Sequence, residues 1–182
     1  MNSYIQFKKA NCKNCYKCIR HCPVKSIKFS DNQANIVHDE CILCGMCFLA
    51  CPQNAKQVRD DGHQLLGFIS AQEDVYIIIA PSYAAWYEGY ALSDIAAAFH
   101  RLGVKGVFET ALGAAIVKTE YEKLIDSGEK SLLISSCCHT VNTLIEKHYK
   151  NALPYLADVV TPMQAHGAEI KKAHKGCKVV FV

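Results

Sequence analysis

The chain has no long hydrophobic run and no pattern typical of an export signal. Its most apolar stretch, residues 75–80, is broken by Pro81 and Ser82. That stretch is far shorter than the roughly 20 residues that a membrane-spanning helix needs. No basic segment followed by an apolar one marks a secretory leader. Cysteines in such a chain are metal ligands more often than disulfide partners. The sequence therefore predicts a cytoplasmic protein without a membrane segment.

A nucleic-acid-binding motif is also missing, although the charge is uneven. The net charge is +3, and residues 1–60 carry nine Lys or Arg against four Asp or Glu. A basic segment is compatible with an acidic or nucleic-acid partner. It is also explained by lysines that offset the negative charge of metal-bound thiolates. Because no combination of aromatic and basic residues accompanies the charge, we favour the second interpretation and expect no nucleic-acid partner.

Cysteine is abundant, with eleven residues, and eight of them form two matching runs. Residues 12–23 and 41–52 both read C-x-x-C-x-x-C-x-x-x-C-P, and the second run follows the first at a period of 29. Such a repeat predicts two similar half-modules related by a pseudo-twofold axis. Short strands are expected at residues 4–8 and 27–29.

This spacing is typical of ligands for two [4Fe–4S] clusters. Three cysteines of a run hold one cluster, and the fourth, before proline, binds the other. The predicted ligand sets are Cys12, Cys15, Cys18 and Cys51 for the first cluster, and Cys41, Cys44, Cys47 and Cys22 for the second. Structural zinc is the alternative, but zinc sites use separated cysteine pairs. Residues 4–55 resemble the bacterial two-cluster ferredoxins, which implies electron relay. His21 and His38 are expected to be packing or surface residues.

After residue 74 the pattern changes to alternating strands and helices. Strands are predicted at residues 75–80, 105–109, 131–135 and 178–182, with helices at 92–102, 114–127, 141–149 and 162–173. Gly103 and Gly128 occupy positions where helices end, and Thr161 with Gln164 forms a capping box. Such alternation indicates a parallel sheet. The predicted fold is an α+β ferredoxin-like dicluster domain at residues 1–60, a linker at 61–74, and an α/β parallel-sheet lobe at 75–182.

A second candidate site is the motif Ser135-Ser136-Cys137-Cys138, placed between a predicted strand and a predicted helix. Ligands of open parallel sheets bind beyond the carboxyl ends of strands. A helix N-terminus also lowers the pKa of a nearby thiol. Alternatively, the two adjacent cysteines could simply pack in the core as small hydrophobic residues, which is common. The pattern alone leaves both interpretations open.

The order of several motifs in residues 75–182 resembles the start of the catalytic domain of [FeFe]-hydrogenases. The matching segments are Ala80-Pro81-Ser82, Val107-Phe108-Glu109-Thr110, Ser135-Ser136-Cys137-Cys138, Pro162-Met163-Gln164 and Gly167-Ala168-x-Ile170-Lys171. An upstream ferredoxin module matches the domain order of that family. The resemblance implies that Cys137 relays protons to the active centre. It also implies that Cys138 binds the cubane of the H-cluster.

The chain departs from that family in three ways. His139 replaces the usual proline and Val141 the usual tryptophan, changes typical of divergent sensory or regulatory relatives. The later motifs P-C-x-x-K, E-x-M-A-C and C-x-x-G do not occur, so three of the four cubane ligands are missing. The resemblance therefore implies an incomplete lobe and no H-cluster in this chain. Cys177 precedes the last predicted strand, and we expect a buried or surface thiol rather than a ligand.

Three functions are compatible with the sequence. We favour an electron-transfer protein with two [4Fe–4S] clusters fused to a truncated hydrogenase-like domain, which by itself is not expected to be an enzyme. The second is a hydrogenase subunit or fragment whose partner subunit supplies the missing ligands. The third is a redox sensor derived from a hydrogenase. The expected partners are a redox protein or a further hydrogenase-like segment, and self-association is expected through an exposed edge at residues 179–182.

Overall fold

The structure is a computed structural model that describes residues 4–7 and 11–182. The elements in chain order are β1 (Ile5–Phe7), α1 (Lys17–His21), β2 (Ile27–Ser30), β3 (Gln33–Ile36), α2 (Met46–Leu49), β4 (Lys56–Val58), α3 (Gly62–Ser70), β5 (Val75–Ile79), α4 (Tyr83–Trp86), α5 (Leu92–Arg101), β6 (Gly106–Glu109), α6 (Ala111–Asp126), α7 (His139–His148), a 3-10 helix (Lys150–Tyr155), α8 (Pro162–Ala173) and β7 (Lys178–Phe181).

The chain folds into two compact units. The first unit contains residues up to Asp60 together with Cys138–Leu156, and the second contains Asp61–Cys137 and Ala157–Val182. Helix α7 and the 3-10 helix therefore belong to the first unit, although the sequence grouped them with the α/β lobe. The predicted fold class, a ferredoxin-like module followed by an α/β domain with a parallel sheet, is confirmed.

The first unit contains two small antiparallel sheets of two strands each. Strand β1 pairs with β4, with Ile5 opposite Val58, and β2 pairs with β3, with Ile27 opposite Ile36. The strand expected at residues 4–8 thus covers Ile5–Phe7, and Lys8 lies outside the described residues. The buried cluster of this unit consists of Ile5, Cys18, Cys22, Ile27, Ala34 and Cys47. Thiol groups therefore make up half of the side chains at its centre.

The second unit is organised around strand β5. This strand lies in the middle of a three-stranded sheet and pairs in parallel with β6 on one side and β7 on the other. Its side chains are buried on both faces, as expected for a parallel strand covered by helices; Val75 and Ile77 are fully buried. Among the described strands, β6 and β7 form the two edges of the sheet.

Local sequence signals account for the ends of the helices in this unit. Gly103 (φ 103°) follows α5 and Gly128 (φ 63°) follows α6, and both adopt the left-handed conformation that glycine favours at helix C-termini. Thr161 caps α8: its Oγ1 accepts a hydrogen bond from the Gln164 amide at 3.3 Å, and the Thr161 amide donates to Gln164 Oε1 at 3.0 Å. The capping box predicted from the sequence is therefore confirmed.

Two segments differ from expectation. Residues 62–70, expected as part of a linker, form helix α3, and its Leu65, Phe68 and Ile69 pack against the buried cluster around Val75 and Ile77. Residues 131–135, expected as a strand, form none. Within them, Ile134 accepts one backbone hydrogen bond from Ala157 at 2.8 Å.

The prediction of a strand at 131–135 was wrong, and Ser136, the residue that follows it, bonds to groups outside the sheet. Ser136 Oγ donates to the Val159 carbonyl at 2.5 Å, and the Ser136 amide donates to the Tyr121 hydroxyl at 2.8 Å. Such side-chain and hydroxyl bonds compete with the regular ladder of a sheet. The expected four-stranded sheet therefore has three strands among the described residues.

Candidate iron–sulfur site

Each predicted cysteine set lines a cavity of its own. One cavity, here called cavity A, is lined by Cys12, Cys15, Cys18 and Cys51. The other, cavity B, is lined by Cys22, Cys41, Cys44 and Cys47. In both, three cysteines come from one run and the fourth comes from the other run. The structure thus brings together the same eight cysteines, in the same two sets of four, that the spacing predicts.

The backbone around the two cavities repeats at the same period as the sequence. Left-handed conformations occur in pairs that are separated by one period of the repeat, namely Asn14 and Leu43, Tyr16 and Gly45, and Lys25 and Asn54. Non-glycine residues seldom adopt this conformation, so its recurrence at matched positions indicates one backbone path used twice. Helices α1 and α2 begin directly after the second of these pairs.

Amide groups point at the sulfur atoms of the cysteines. The Ser26 amide donates to Cys22 Sγ at 3.3 Å, and the Ala55 amide donates to Cys51 Sγ at 3.3 Å. These two bonds occupy equivalent positions in the two halves of the repeat. The Leu43 amide donates to Cys41 Sγ at 3.4 Å. Amide donors stabilise thiolate sulfur, and hydrogen bonds of this kind tune iron–sulfur clusters.

The donor set fits iron–sulfur clusters in its chemistry. Each cavity offers four thiols, the ligand number of a [4Fe–4S] cluster. Among the residues that the structure describes, no three His, Cys, Asp or Glu side chains lie close enough together to hold a single metal ion. The cysteines therefore surround a cavity in each case and do not form a compact site for one ion.

Burial controls the protonation of the innermost thiols. Burial raises the pKa of Cys47 to about 11 and also raises the pKa of Cys18, while the positive charge of Lys56 acts in the opposite direction on both. These thiols keep their protons at neutral pH when no metal is present. Because thiolates are the metal ligands, loading the site releases protons.

Lys56 was not singled out from the sequence, although it lines cavity A. Its residue surface is 2% exposed, and its Nζ donates to the Ala34 carbonyl at 3.3 Å. A lysine is almost never this buried unless its charge is compensated. The internal repeat contained the signal, because it aligns Lys56 with the apolar Ile27.

Helix α7 binds the loop that carries the first cysteines of the second run. Lys147 Nζ donates to the carbonyls of Cys41 at 2.8 Å and His38 at 3.0 Å, and His148 Nε2 lies 2.8 Å from the Glu40 carbonyl. These contacts join segments that are far apart in the sequence, and no local pattern predicts them. His21 Nδ1 bonds to the Lys17 carbonyl of its own helix.

The motif at residues 135–138 is organised by Tyr121. The Tyr121 hydroxyl lies 3.1 Å from Ser135 Oγ, 3.0 Å from Ser136 Oγ and 3.8 Å from Cys137 Sγ. Cys137 and Cys138 are both exposed, and Cys138 is the residue that precedes α7. Cys177 is buried, where it packs with Ile78 and Ile170.

Comparison with known families gives two matches that together cover nearly the whole chain. Residues 73–182 match the C-terminal domain of the iron-only hydrogenase large subunit. The chain belongs to this hydrogenase family. Residues 4–63 match a 4Fe-4S dicluster domain. The hydrogenase-family chain therefore carries an iron–sulfur region of the ferredoxin type ahead of its hydrogenase-like domain, as the sequence resemblance implied.

Curated relatives match over shorter stretches of the chain. One subunit of an ion-translocating oxidoreductase complex from Methanosarcina acetivorans is 35% identical over 51 residues, which is 28% of this chain and 19% of that protein. An uncharacterised ferredoxin from Methanocaldococcus jannaschii is 35% identical over 57 residues, which is 30% of this chain and 34% of that protein. The chain thus spans about a third or less of the length of these relatives.

A solved [FeFe]-hydrogenase is similar in structure, with a TM-score of 0.48 and 20% identity over 68% of this chain and 38% of the hydrogenase chain. In the part of the chain that the structure describes, none of the helices combines the length and apolar character needed to cross a membrane.

Proposed function

We propose that this chain is an electron-transfer protein that holds two [4Fe–4S] clusters, one in cavity A and one in cavity B. The observation that carries the proposal is the pair of four-cysteine sets, each lining its own cavity. The amide donors at Cys22 Sγ and Cys51 Sγ support it, because they occupy the same place in both halves. A bound [4Fe–4S] cluster accepts and releases single electrons.

The ligand sets suit relay between the clusters. Cys22 belongs to the first run and lines cavity B, whereas Cys51 belongs to the second run and lines cavity A. Each cluster would therefore be held by both halves of the repeat, and the two sites would be coupled through the same short backbone. On this proposal the partner is another redox protein, which is also the class of the curated relatives named above.

The test is the metal content of protein prepared without oxygen. The account expects about eight iron and eight sulfide per chain, which is two clusters of four. A matched control is Cys177→Ala, because Cys177 lies in the core of the second unit beside Ile78 and Ile170; its iron content should be unchanged. Stoichiometric zinc without iron would overturn the proposal.

A second candidate function is that of a hydrogenase subunit, which contributes to the production or oxidation of hydrogen. The family match over residues 73–182 favours it. Cys137 is exposed and lies 3.8 Å from the Tyr121 hydroxyl, an arrangement compatible with proton transfer at that thiol. The assay is hydrogen turnover after the hydrogenase assembly machinery has acted on the protein. The first proposal expects no turnover from this chain alone. Turnover that disappears in Cys137→Ser would favour the second.

A further inference from the structure

The two halves of the cysteine repeat differ at one buried position. Ile27 and Lys56 are equivalent in the repeat, since each is the fifth position after the last cysteine of its run. Both are buried, with 4% and 2% of their surface exposed. A buried apolar side chain in one half is therefore replaced by a buried lysine in the other, on a backbone that is otherwise repeated.

Because of this difference, cavity A is lined by positively charged side chains and cavity B is not. Lys56 lines cavity A together with the exposed Lys17. Ile27 lines cavity B, where none of the described lining residues apart from the cysteines has an ionisable side chain. Cavity A thus has a positive charge that water screens weakly, and cavity B has an apolar wall at the matching place.

A positive charge favours the reduced form of a nearby cluster, because reduction adds one negative charge. The interaction falls with distance and with the effective dielectric, so a buried ammonium acts more strongly than an exposed one. The charge of Lys56 also favours the thiolate forms of Cys18 in cavity A and Cys47 in cavity B. Its field therefore reaches both sites, and the expected effect is a difference between them.

Other groups act in the opposite direction but are weaker sources of field. Ser26 Oγ lies 3.3 Å from Cys22 Sγ in cavity B, where the other half has Ala55. A hydroxyl is a neutral dipole, whose field falls off faster than that of a full charge. Lys147 bonds to the Cys41 carbonyl at 2.8 Å, but its residue is exposed. Solvent screens that charge more than it screens Lys56.

We propose that Lys56 raises the reduction potential of the cluster in cavity A relative to that of the cluster in cavity B. The first electron added to the protein would therefore reduce the cluster in cavity A. This inference rests on the proposed two-cluster function. It makes Lys56 a residue that sets how an electron distributes between the two clusters. Net charge and solvent exposure are among the terms that set the potentials of iron–sulfur clusters.

The experiment is a redox titration of both clusters, monitored by electron paramagnetic resonance, in the wild type and in four variants. Lys56→Met and Lys56→Gln both remove the charge, with an apolar and a polar replacement. Lys56→Arg keeps the charge, and Lys17→Met removes an exposed charge from the same cavity. The signal lost in Cys15→Ala identifies the cluster in cavity A. Iron and sulfide are counted in every sample.

In Lys56→Met the potential of the cavity A cluster should fall more than that of cavity B. The equilibrium for electron exchange between the clusters should shift about tenfold toward cavity B, which is about 59 mV for one electron. Lys56→Arg should stay near the wild type, and Lys17→Met should shift less than Lys56→Met. Equal shifts at both clusters, or a shift no larger than that of Lys17→Met, would overturn the inference.

Iron counting separates this inference from the function on which it rests. If the wild type binds no iron–sulfur clusters, the proposed function itself fails. If the wild type holds eight irons but both Lys56→Met and Lys56→Gln lose them, Lys56 is a structural residue and the inference is overturned. If the variants keep eight irons, the measured difference in potential decides the matter.

Discussion

The buried cores of the two units contain different kinds of side chain. In the first unit, Cys18, Cys22 and Cys47 share the core with Ile5, Ile27 and Ala34. In the second, Val75, Ile77 and Val104 are surrounded by aliphatic and aromatic side chains from α3, α5, β6 and β7. Apolar burial stabilises the second unit directly. On the proposed function the buried thiols of the first unit are metal ligands, so the stability of that unit should depend on what they bind.

Removal of iron should produce the largest difference between the units. We expect anaerobic chelation to abolish amide-exchange protection in the first unit, including α7, because the ligands then surround empty cavities. Strands β5, β6 and β7 should keep their protection. Hydrogen exchange with mass spectrometry measures both, and re-addition of iron and sulfide should restore the loss. Equal protection of both units after iron removal would show that the first unit does not depend on its clusters.

A smaller effect should follow from Gly113→Ala, which acts only on the second unit. A Cβ at Gly113 in α6 would overlap the Pro162 carbonyl oxygen and would lie 2.8 Å from His166 Cβ in α8. Backbone atoms cannot rotate away, so the helices must separate. We expect a loss of about 1–3 kcal/mol in the free energy of unfolding of this unit, with the iron content unchanged.

The control for that change is Gly167→Ala in α8. A Cβ there would meet Ile78 Cδ1 and Val179 Cγ1 at 3.8 Å, which is ordinary contact. Alanine favours a helix over glycine by about 1 kcal/mol, so this variant should be neutral or slightly more stable. Denaturant unfolding compares the two variants. Similar stabilities would mean that α6 and α8 do not pack as closely as described.

The smallest effect should be the pH dependence of the second unit. His166 is buried beside Phe108, and burial lowers its pKa below the ordinary 6.5 more than the Glu109 backbone raises it. As the pH falls below 6.5, His166 therefore binds a proton more readily in the unfolded chain than in the folded unit. Stability from this source is present above pH 6.5 and is lost as the pH falls.

The measurement is denaturant unfolding at several pH values between 7 and 5. His166→Gln should flatten the fall of stability with acid, since glutamine does not titrate. The same change at His63, an exposed residue of α3 in the same unit, should give the slope of the wild type. A steep slope that persists in His166→Gln would assign the pH dependence to other groups.

Periodicity and turn chemistry predicted most of the second unit. Local sequence signals predicted the parallel strands, the helix ends at Gly103 and Gly128 and the cap at Thr161. The structure has these features at the expected positions. Helix α3 was missed because residues 61–74 were interpreted as a linker. Its apolar Leu65, Phe68 and Ile69 recur at helical spacing and could have revealed it.

Long-range polar contacts explain what the sequence could not predict. The contact of Lys147 with the Cys41 carbonyl joins distant segments, and no periodic pattern marks it. The bonds of the Tyr121 hydroxyl to Ser135 and Ser136 likewise join residues that are distant in the sequence, beside the segment where the expected strand does not form. The cysteine sets were predictable because their spacing is itself the signal. Lys56 required one more step, the comparison of the two halves of the repeat.

The central claim is that the ligand sets cross between the two runs, and paired cysteine variants test it most directly. Cys22→Ala with Cys44→Ala removes two ligands from cavity B, so about four irons should remain per chain. Cys22→Ala with Cys15→Ala removes one ligand from each cavity, so nearly all iron should be lost. The opposite result, with iron retained when Cys15 and Cys22 are replaced together and lost when Cys22 and Cys44 are, would contradict the account.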